Sequence, residues 1–315
     1  MQNDIQKHYD DLRQAEADAK YWLQQYENQL NAEREAKVQE AEAEHAKRVE
    51  ELKQNFEAET SSVREQFTSI MERLKYTAAA WDMEAWLGFP EESPEDAIST
   101  SLRAGSIQRD FPASDINQVP LLIPMIGEKH VFIVSQGEGK AQGRKLLQSM
   151  ALRALLLLAD GNTEFIFIDP FGMGANFPFQ SLPTSIRGEM IYVEEEEIDA
   201  QLRRLTDQIR KGEREKRYVL CVADFPRRFN EDALQRMISI AQQGVNSNVY
   251  AIVHVDSDVP LPDGYDPSVL LDSASVLFAT ADGTNARLDG EEYNFVADDL
   301  PDNALLEALL RKLAN

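Results

Sequence analysis

The sequence has little of what secreted, membrane-spanning or metal-clustering proteins need. Its 315 residues include a single cysteine, Cys221, which excludes an intramolecular disulfide and a cysteine-clustered metal site. No apolar run approaches the roughly 20 residues that span a bilayer. The polar start MQNDIQKHYDDL has no apolar core of a secretory signal. We therefore expect a cytoplasmic protein without a membrane partner.

Positive charge is also scarce. The chain carries 32 Lys and Arg against 55 Asp and Glu, a formal net charge of −23. A protein this acidic repels the phosphate backbone of nucleic acids at long range. The charge balance therefore predicts protein partners, with DNA contacted only indirectly.

Glycine and proline are absent from residues 1–87, which are dense in good helix formers. Apolar side chains recur there every seven residues, the period of a coiled coil. The first row is Ile5, Leu12, Ala19 and Tyr26, and the second is Val49, Phe56, Val63 and Ile70. The pattern predicts a coiled-coil helical arm over residues 1–88, which would join copies of the chain or bind another protein.

The two rows are out of phase, because Tyr26 and Val49 are 23 residues apart, which is three heptads plus two. A stutter in one long helix and a reversal into a helical hairpin both produce such a break. Since no glycine or proline marks a turn, one long helix is favoured. Alternatives to a docking arm are a helix folded onto the chain's own globular part and a solvated single helix.

Aromatic residues and then prolines follow the arm. Trp81 and Trp86 predict an anchor that fastens the end of the helix to the next domain. Pro90 and Pro94 stop the helix. Residues 89–118 are predicted to be an extended linker with one short strand near residues 101–107.

From residue 119 onward, buried-type apolar runs alternate with helical segments, which is typical of a parallel sheet covered on both faces. We therefore predict that residues 119–315 form one α/β domain with a mostly parallel sheet. The expected strands are 119–126, 129–135, 164–170, 190–193, 217–224, 248–255, 275–280 and 292–298, and the expected helices are 141–159, 194–215, 230–243 and 304–313.

Ligands of such sheets bind at the carboxyl ends of the strands, and a glycine-rich turn stands at the first of them. A phosphate-binding loop reads Gly-x-x-x-x-Gly-Lys followed by Ser or Thr, whose hydroxyl holds Mg²⁺. Gly139 and Lys140 match, but Val134 replaces the first glycine and Ala141 replaces the hydroxyl. The turn is therefore either an altered phosphate site or a plain glycine turn that opens a helix.

Two further strands end in aspartate. In a nucleotide-hydrolysing site, such an aspartate holds Mg²⁺ and an adjacent glutamate often activates water. Asp169 and Asp224 could hold Mg²⁺, but Phe225 follows Asp224 and cannot activate water. The alternative is that each aspartate only caps the backbone of its own loop. Candidate residues for binding ATP with Mg²⁺ are Gly137, Gly139, Lys140, Asp169 and Asp224, with no catalytic residue and no separate metal site.

These segments occur in an order that resembles the motor domain of the FtsK-type DNA translocases, a RecA-like ATPase fold. The matching segments are HVFIVSQGEGKA, FIFIDPFGMG and IAQQGVNSNVYAIVHV, within residues 119–260. The departures at Ala141 and Phe225, and a sensor position near residues 255–256 without the family's glutamine, affect hydrolysis rather than the fold. The resemblance therefore implies a degenerate copy, as in large bacterial FtsK-like proteins that carry such a domain after a helical arm.

The resulting hypothesis is a non-catalytic, FtsK-like domain on a coiled-coil arm, which assembles or regulates a larger ATP-driven, DNA-translocating machine. A first alternative is an active ATP-binding translocase subunit completed by groups from neighbouring subunits. A second is a coiled-coil scaffold whose α/β domain binds only protein. The resemblance leaves these alternatives open.

Overall fold

The computed structural model describes residues 2–82, 84–89, 100–108, 118–158, 161–179, 182, 191–212, 214–262, 265–272 and 274–314. Most of the predicted linker, residues 90–99 and 109–117, lies outside the described residues. The chain divides into two compact units, residues 1–66 and 67–315. No described helix is long and apolar enough to cross a membrane.

The first unit consists of most of helix α1, Gln2–Ala78, which departs from helical geometry at Lys75 (φ 30°). The helix is continuous across the break in the heptad pattern, so the chain does not reverse into a hairpin there. Residues 2–66 alone extend about 100 Å at the helical rise. The apolar stripe is exposed in the single chain, as shown by Ile5, Leu12 and Leu23. A coiled-coil partner along this stripe stays a prediction.

The second unit contains a ten-stranded sheet in the order β2-β1-β10-β9-β8-β3-β7-β6-β4-β5. The strands are β1 Ser101–Gln108, β2 Gln118–Pro124, β3 His130–Ser135, β4 Thr163–Ile168, β5 Ile191–Tyr192, β6 Arg217–Phe225, β7 Val249–Asp256, β8 Ala274–Thr280, β9 Gly283–Leu288 and β10 Glu291–Ala297. The helices are α2 Lys140–Leu158, α3 Glu195–Lys211, α4 Glu231–Gln243, α5 Ser268–Leu271 and α6 Asn303–Ala314.

The six neighbouring strands β8, β3, β7, β6, β4 and β5 are parallel to one another. The remaining pairings, β2 with β1, β1 with β10, β10 with β9 and β9 with β8, are antiparallel. The predicted parallel core is therefore confirmed, but it is extended on one side by four antiparallel strands. The sequence pattern missed β9 because its residues, GTNARL, are largely polar and only partly buried. A two-residue turn at Asp289 and Gly290, both with positive φ, joins β9 to β10.

Helices cover both faces of the parallel core, as predicted. Residues alternate along each strand, so that Phe165 and Phe167 pack on one face with α2, whereas Ile166 and Ile168 pack on the other with α3 and α4. This alternation produces two separate hydrophobic clusters. The sheet between them holds the carboxyl ends of β3, β7 and β6 side by side.

Particular residues set both ends of α4. The Asn230 side chain accepts a hydrogen bond from the Ala233 N–H at 2.8 Å and so caps the start of the helix. Gly244 ends the helix with ordinary helical φ rather than a left-handed one, and Asn248 is left-handed instead (φ 56°). Gly244 is needed for space, because a Cβ would lie 2.6 Å from the Ile240 carbonyl oxygen.

The segment after α1 is fastened to the second unit by a buried aromatic and ionic cluster. The Trp81 Nε1–H donates to the Ser149 Oγ at 3.0 Å, and the Arg153 guanidinium lies 4.0 Å from the centre of a Trp81 ring. Arg153 is fully buried and binds Asp298 at 2.7 Å. Arg103 binds the same Asp298 at 2.8 Å.

The same arginines also satisfy the end of the helix. The Arg103 Nη1 donates to the Ala78 carbonyl, and the Arg153 Nη1 donates to the Ala79 carbonyl. Carbonyl groups near the C-terminus of a helix have no donor within the helix, so the two arginines supply the hydrogen bonds that these carbonyls would otherwise lack. The tryptophan-containing segment is thus part of the second unit's core.

Candidate functional site

The candidate site lies where β3, β7 and β6 end next to one another. After β3, a 3₁₀ turn at Gly137–Gly139 leads directly into α2, which begins at Lys140. Gly137 has a left-handed φ of 53°. This is the strand–glycine turn–helix layout that the sequence predicted, and the start of a helix favours anions.

Lys140 is held by two carboxylates of the same chain. Its Nζ lies 2.8 Å from the Asp256 Oδ1 and 2.7 Å from the Asp258 Oδ2. The Gly137 N–H donates to that same Asp258 Oδ2 at 3.0 Å. The backbone donor and the lysine that would bind phosphate in a nucleotide site therefore both bind one aspartate oxygen.

Asp256 is the more firmly fixed of the two carboxylates. Its side chain is fully buried, and its Oδ2 accepts hydrogen bonds from the Arg227 Nη2 at 2.8 Å and Nε at 3.2 Å. Burial raises the pKa of the Asp256 carboxyl, but the hydrogen bonds from Lys140 and Arg227 outweigh it and lower the pKa below its usual value. Asp256 is therefore the ionised, buried centre of a four-residue ion cluster with Lys140, Arg227 and Asp258.

Asp224 belongs to a second, adjoining network. Its Oδ1 lies 2.9 Å from the Arg144 Nε and 3.3 Å from the His254 Nδ1, while its Oδ2 is buried without a hydrogen-bond partner among the described residues. The His254 Nε2 is 2.7 Å from the Ser135 Oγ. Burial raises the pKa of Asp224, but His254 and Arg144 outweigh it and the net pKa is lowered.

The hydrogen-bonded row Ser135–His254–Asp224 has the residue types of a hydrolase triad, but a substrate cannot reach it. All three side chains are buried, which leaves no path for a substrate to the serine oxygen. Gly143 in the first turn of α2 covers His254, and a Cβ there would lie 2.9 Å from the imidazole. We therefore assign these side chains to holding α2 against the ends of β3, β6 and β7.

Gly139 has a packing role that accounts for its presence. A Cβ at this position would lie 2.2 Å from the Ala279 carbonyl oxygen, so only glycine lets the turn approach β8 this closely. Close packing against β8 therefore explains why this position is glycine, without the need for a ligand.

Asp169 organises its own loop. Its carboxylate accepts hydrogen bonds from the backbone N–H groups of Gly172, Gly174 and Asn176, and from the Asn176 side chain, at 2.8–3.0 Å. β4 is three strand positions away from β3, about 14 Å at the usual spacing. Asp169 as a nucleotide ligand stays a prediction, and the contacts that the structure shows are those of a loop cap.

The described residues lack part of the usual set of magnesium ligands of an ATP site. Ala141 offers no hydroxyl for Mg²⁺, and the Asp224 Oδ1 already accepts from Arg144. Phe225 packs edge-on against Phe229 in the hydrophobic cluster instead of presenting a carboxylate to water. Among the described residues, no group of three or more His, Cys, Asp or Glu side chains could hold a metal ion.

Sequence reasoning found this region but not its contacts. The strand-end rule pointed to the turn at residues 137–140 and to Asp224 without pairing their side chains, and it did not identify the contacts of His254, Asp256 and Asp258. Arg144 and Arg227 were not singled out at all. The available signal was the charge pattern, since basic residues follow two strand ends and acidic residues follow the strand between them.

Comparison of the sequence with protein-family profiles and with curated proteins finds no match. The structure is similar to EssC (ATPases 2 and 3) from Geobacillus thermodenitrificans, with a TM-score of 0.52 and 12% identity over 69% of this chain and 48% of that one. It is also similar to Thermomonospora curvata EccC (ATPases 2 and 3) in complex with a signal sequence peptide, with a TM-score of 0.52 and 13% identity over 71% of this chain and 48% of that one.

This chain thus spans about half the length of each of these two solved structures. At 12–13% identity the likeness concerns the fold and not the activity. The expectation of a RecA-like, P-loop-type fold is confirmed at that level. The second unit therefore shares the fold of these ATPase domains.

Proposed function

We propose that this chain is an ATPase-fold subunit that does not hydrolyse ATP. In this proposal it assembles or regulates a larger ATP-driven machine of the DNA-translocating class that the sequence resembles. The helical arm binds other proteins or other copies of the chain, and DNA is reached only through those partners.

The single observation that supports the proposal best is the occupation of Lys140 by Asp256 and Asp258. A phosphate-loop lysine neutralises charge on the transferred phosphate, and a lysine already neutralised by two carboxylates cannot do so without breaking those bonds. The missing hydroxyl at Ala141 and the apolar Phe225 remove the metal ligand and the water-activating group. Each change removes a different part of the hydrolysis machinery.

The arm supports the assembly role. Its apolar stripe includes large side chains such as Leu12, Tyr26 and Leu30, all more than half exposed in the single chain. Exposed apolar side chains at coiled-coil spacing are stabilised by a partner helix. The proposal therefore predicts a protein partner along residues 1–66.

The proposal is tested by measuring ATP turnover with Mg²⁺, with and without duplex DNA, on the full chain and on Lys140→Ala. We expect equal, background turnover from both proteins, because the machinery for hydrolysis is incomplete. Lys145→Ala is the matched control, since Lys145 lies on the same helix and pairs with a carboxylate at 2.8 Å. Turnover that exceeds background in the unaltered chain and in Lys145→Ala, but not in Lys140→Ala, would favour the active-translocase alternative.

A further inference from the structure

We propose that Asp258 is an internal substitute for phosphate, which keeps a phosphate-class anion site closed until this carboxylate leaves. The inference rests on the proposed function, because it takes the turn at residues 137–140 to be an altered phosphate loop. It adds a regulatory element to that loop and identifies one residue that controls it.

The contacts of the Asp258 Oδ2 support the idea that it takes the place of a phosphate oxygen. The Asp258 Oδ2 receives both the Gly137 N–H at 3.0 Å and the Lys140 Nζ at 2.7 Å. A backbone N–H of the glycine turn and the following lysine are the two kinds of donor that bind phosphate oxygens in such loops. An oxygen of a carboxylate thus occupies the point where both donors converge.

Asp258, and not Asp256, is the displaceable group. Asp256 is fully buried and fixed by Arg227 as well as by Lys140. The Asp258 side chain is 49% exposed and follows β7 in a turn. Because an exposed carboxylate can be solvated by water when it leaves, its departure costs far less than exposing the charge of Asp256.

Ionisation keeps the site closed at neutral pH. The hydrogen bond from Lys140 and then the Gly137 N–H lower the pKa of the Asp258 carboxyl below its usual value of 3.8. The carboxylate is therefore charged under physiological conditions and repels any incoming phosphate. Opening requires displacement of Asp258 by a partner or a ligand rather than a change of pH.

The test is calorimetric titration of the full chain, Asp258→Asn and Asp258→Ala with inorganic phosphate and, separately, with Mg²⁺-free ATP. We expect the two variants to bind about tenfold or more tightly than the unaltered chain, because a competing anion is removed. The alanine variant should gain at least as much as the asparagine variant, whose amide oxygen can still accept from Gly137. A gain with both ligands identifies a general phosphate site, and a gain with ATP alone identifies a nucleotide site.

Asp299→Asn is the matched control, since Asp299 is 54% exposed and pairs with Lys145 on the same helix. It should bind as the unaltered chain does. Adding Lys140→Ala to Asp258→Ala should abolish the gain. The proposal is wrong if the unaltered chain and both Asp258 variants bind with equal affinity while each shows an intact thermal transition. That result would not affect the proposed absence of ATP hydrolysis.

A measurement on the unaltered chain gives a second test that does not depend on the variants folding. Ligands that bind the folded state raise its melting temperature. We expect no rise with millimolar phosphate while Asp258 is in place. A clear rise that Lys140→Ala removes would contradict closure by Asp258, whether or not ATP is hydrolysed.

Discussion

At the scale of single residues, the charged groups of this site bind one another. Lys140, Arg144 and Arg227 each pair with a carboxylate that ends a neighbouring strand. The sequence predicted that these strand ends would meet, since that follows from a parallel sheet. It could not predict the pairing, because that depends on contacts between residues far apart in the chain, such as Arg144 and Asp224. A motif that looks like a ligand site can therefore be satisfied internally.

His130 should make stability depend on pH. Burial lowers its pKa from 6.5 to about 4, and its Nδ1 accepts the Ala251 N–H at 3.0 Å, which requires an unprotonated nitrogen. The unfolded chain takes up this proton below pH 6.5, so the stabilisation is complete above that pH and is lost as the pH falls towards 4. Urea unfolding should show a loss of about 3 kcal/mol in the free energy of unfolding across this range from this group.

His130→Gln should flatten the dependence of stability on pH. His8→Gln, on the exposed arm, is the control and should leave that dependence unchanged. The same slope in all three proteins would refute the role of His130.

Asp169 should matter for stability, because its buried carboxylate accepts four hydrogen bonds from its own loop. Asp169→Ala leaves three backbone N–H groups without their acceptor, which should cost about 3 kcal/mol or more in the free energy of unfolding. Denaturant titration measures this. Asp207→Ala, which removes an exposed ion pair on α3, is the control and should change stability by less than about 0.5 kcal/mol. A loss of equal size in both variants would contradict the role of Asp169 as a loop cap.

At the scale of elements, hydrophobic pattern predicted the buried strands and the covering helices well. Strands β3, β4, β6 and β7 are continuous apolar runs, and each appears close to its predicted position. The hydrophobic pattern did not predict β9, because a polar, half-exposed strand has no continuous apolar run. The turn at Asp289–Gly290 was the available signal for it, since that dipeptide is typical of tight hairpins.

The aromatic segment after the arm should determine where the second unit can be cut. Arg103 and Arg153 are buried and bind the carbonyls of Ala78 and Ala79, while Trp81 and Trp86 pack in the same cluster. A chain that begins at residue 89 loses these acceptors and aromatic contacts. The two buried tryptophan side chains contribute about 2 kcal/mol each, and their sum of about 4 kcal/mol is close to the roughly 5 kcal/mol at the low end of domain stabilities.

We therefore expect a chain of residues 67–315 to unfold cooperatively on heating and a chain of residues 89–315 to lack that transition. Circular dichroism during thermal unfolding distinguishes them. If the shorter chain melts at the same temperature as the longer one, the aromatic segment contributes little and the predicted boundary at residue 88 is also a structural one.

At the scale of the whole molecule, the exposed stripe of the arm should set the mass in solution. Leu23→Asn together with Leu30→Asn replaces two exposed apolar side chains of the stripe with polar ones. We expect these changes to weaken self-association at least tenfold, measured by light scattering over a range of concentrations, because buried asparagine destabilises coiled coils. Gln24→Asn with Gln25→Asn lowers helix propensity without altering the apolar stripe and should retain the mass.

An unaltered chain that is monomeric at every concentration would exclude self-association and leave a different protein as the partner of the arm. An oligomer that survives both Leu→Asn changes would instead place the association outside this stripe. Either result decides between a homo-oligomeric arm and the other arrangements that the heptad pattern allows.

The three tryptophans give the molecule a built-in optical signal. Trp22 in the first unit is 70% exposed, whereas Trp81 and Trp86 in the second unit are 9% and 1% exposed. Indole emission shifts to longer wavelength in water, so the native spectrum is a sum of one solvated and two shielded fluorophores. A partner that covers the arm near Trp22 should shift the emission to shorter wavelength, and release of the aromatic cluster should shift it the other way. Association of the arm and opening of the second unit can therefore be followed in the same sample without any added label.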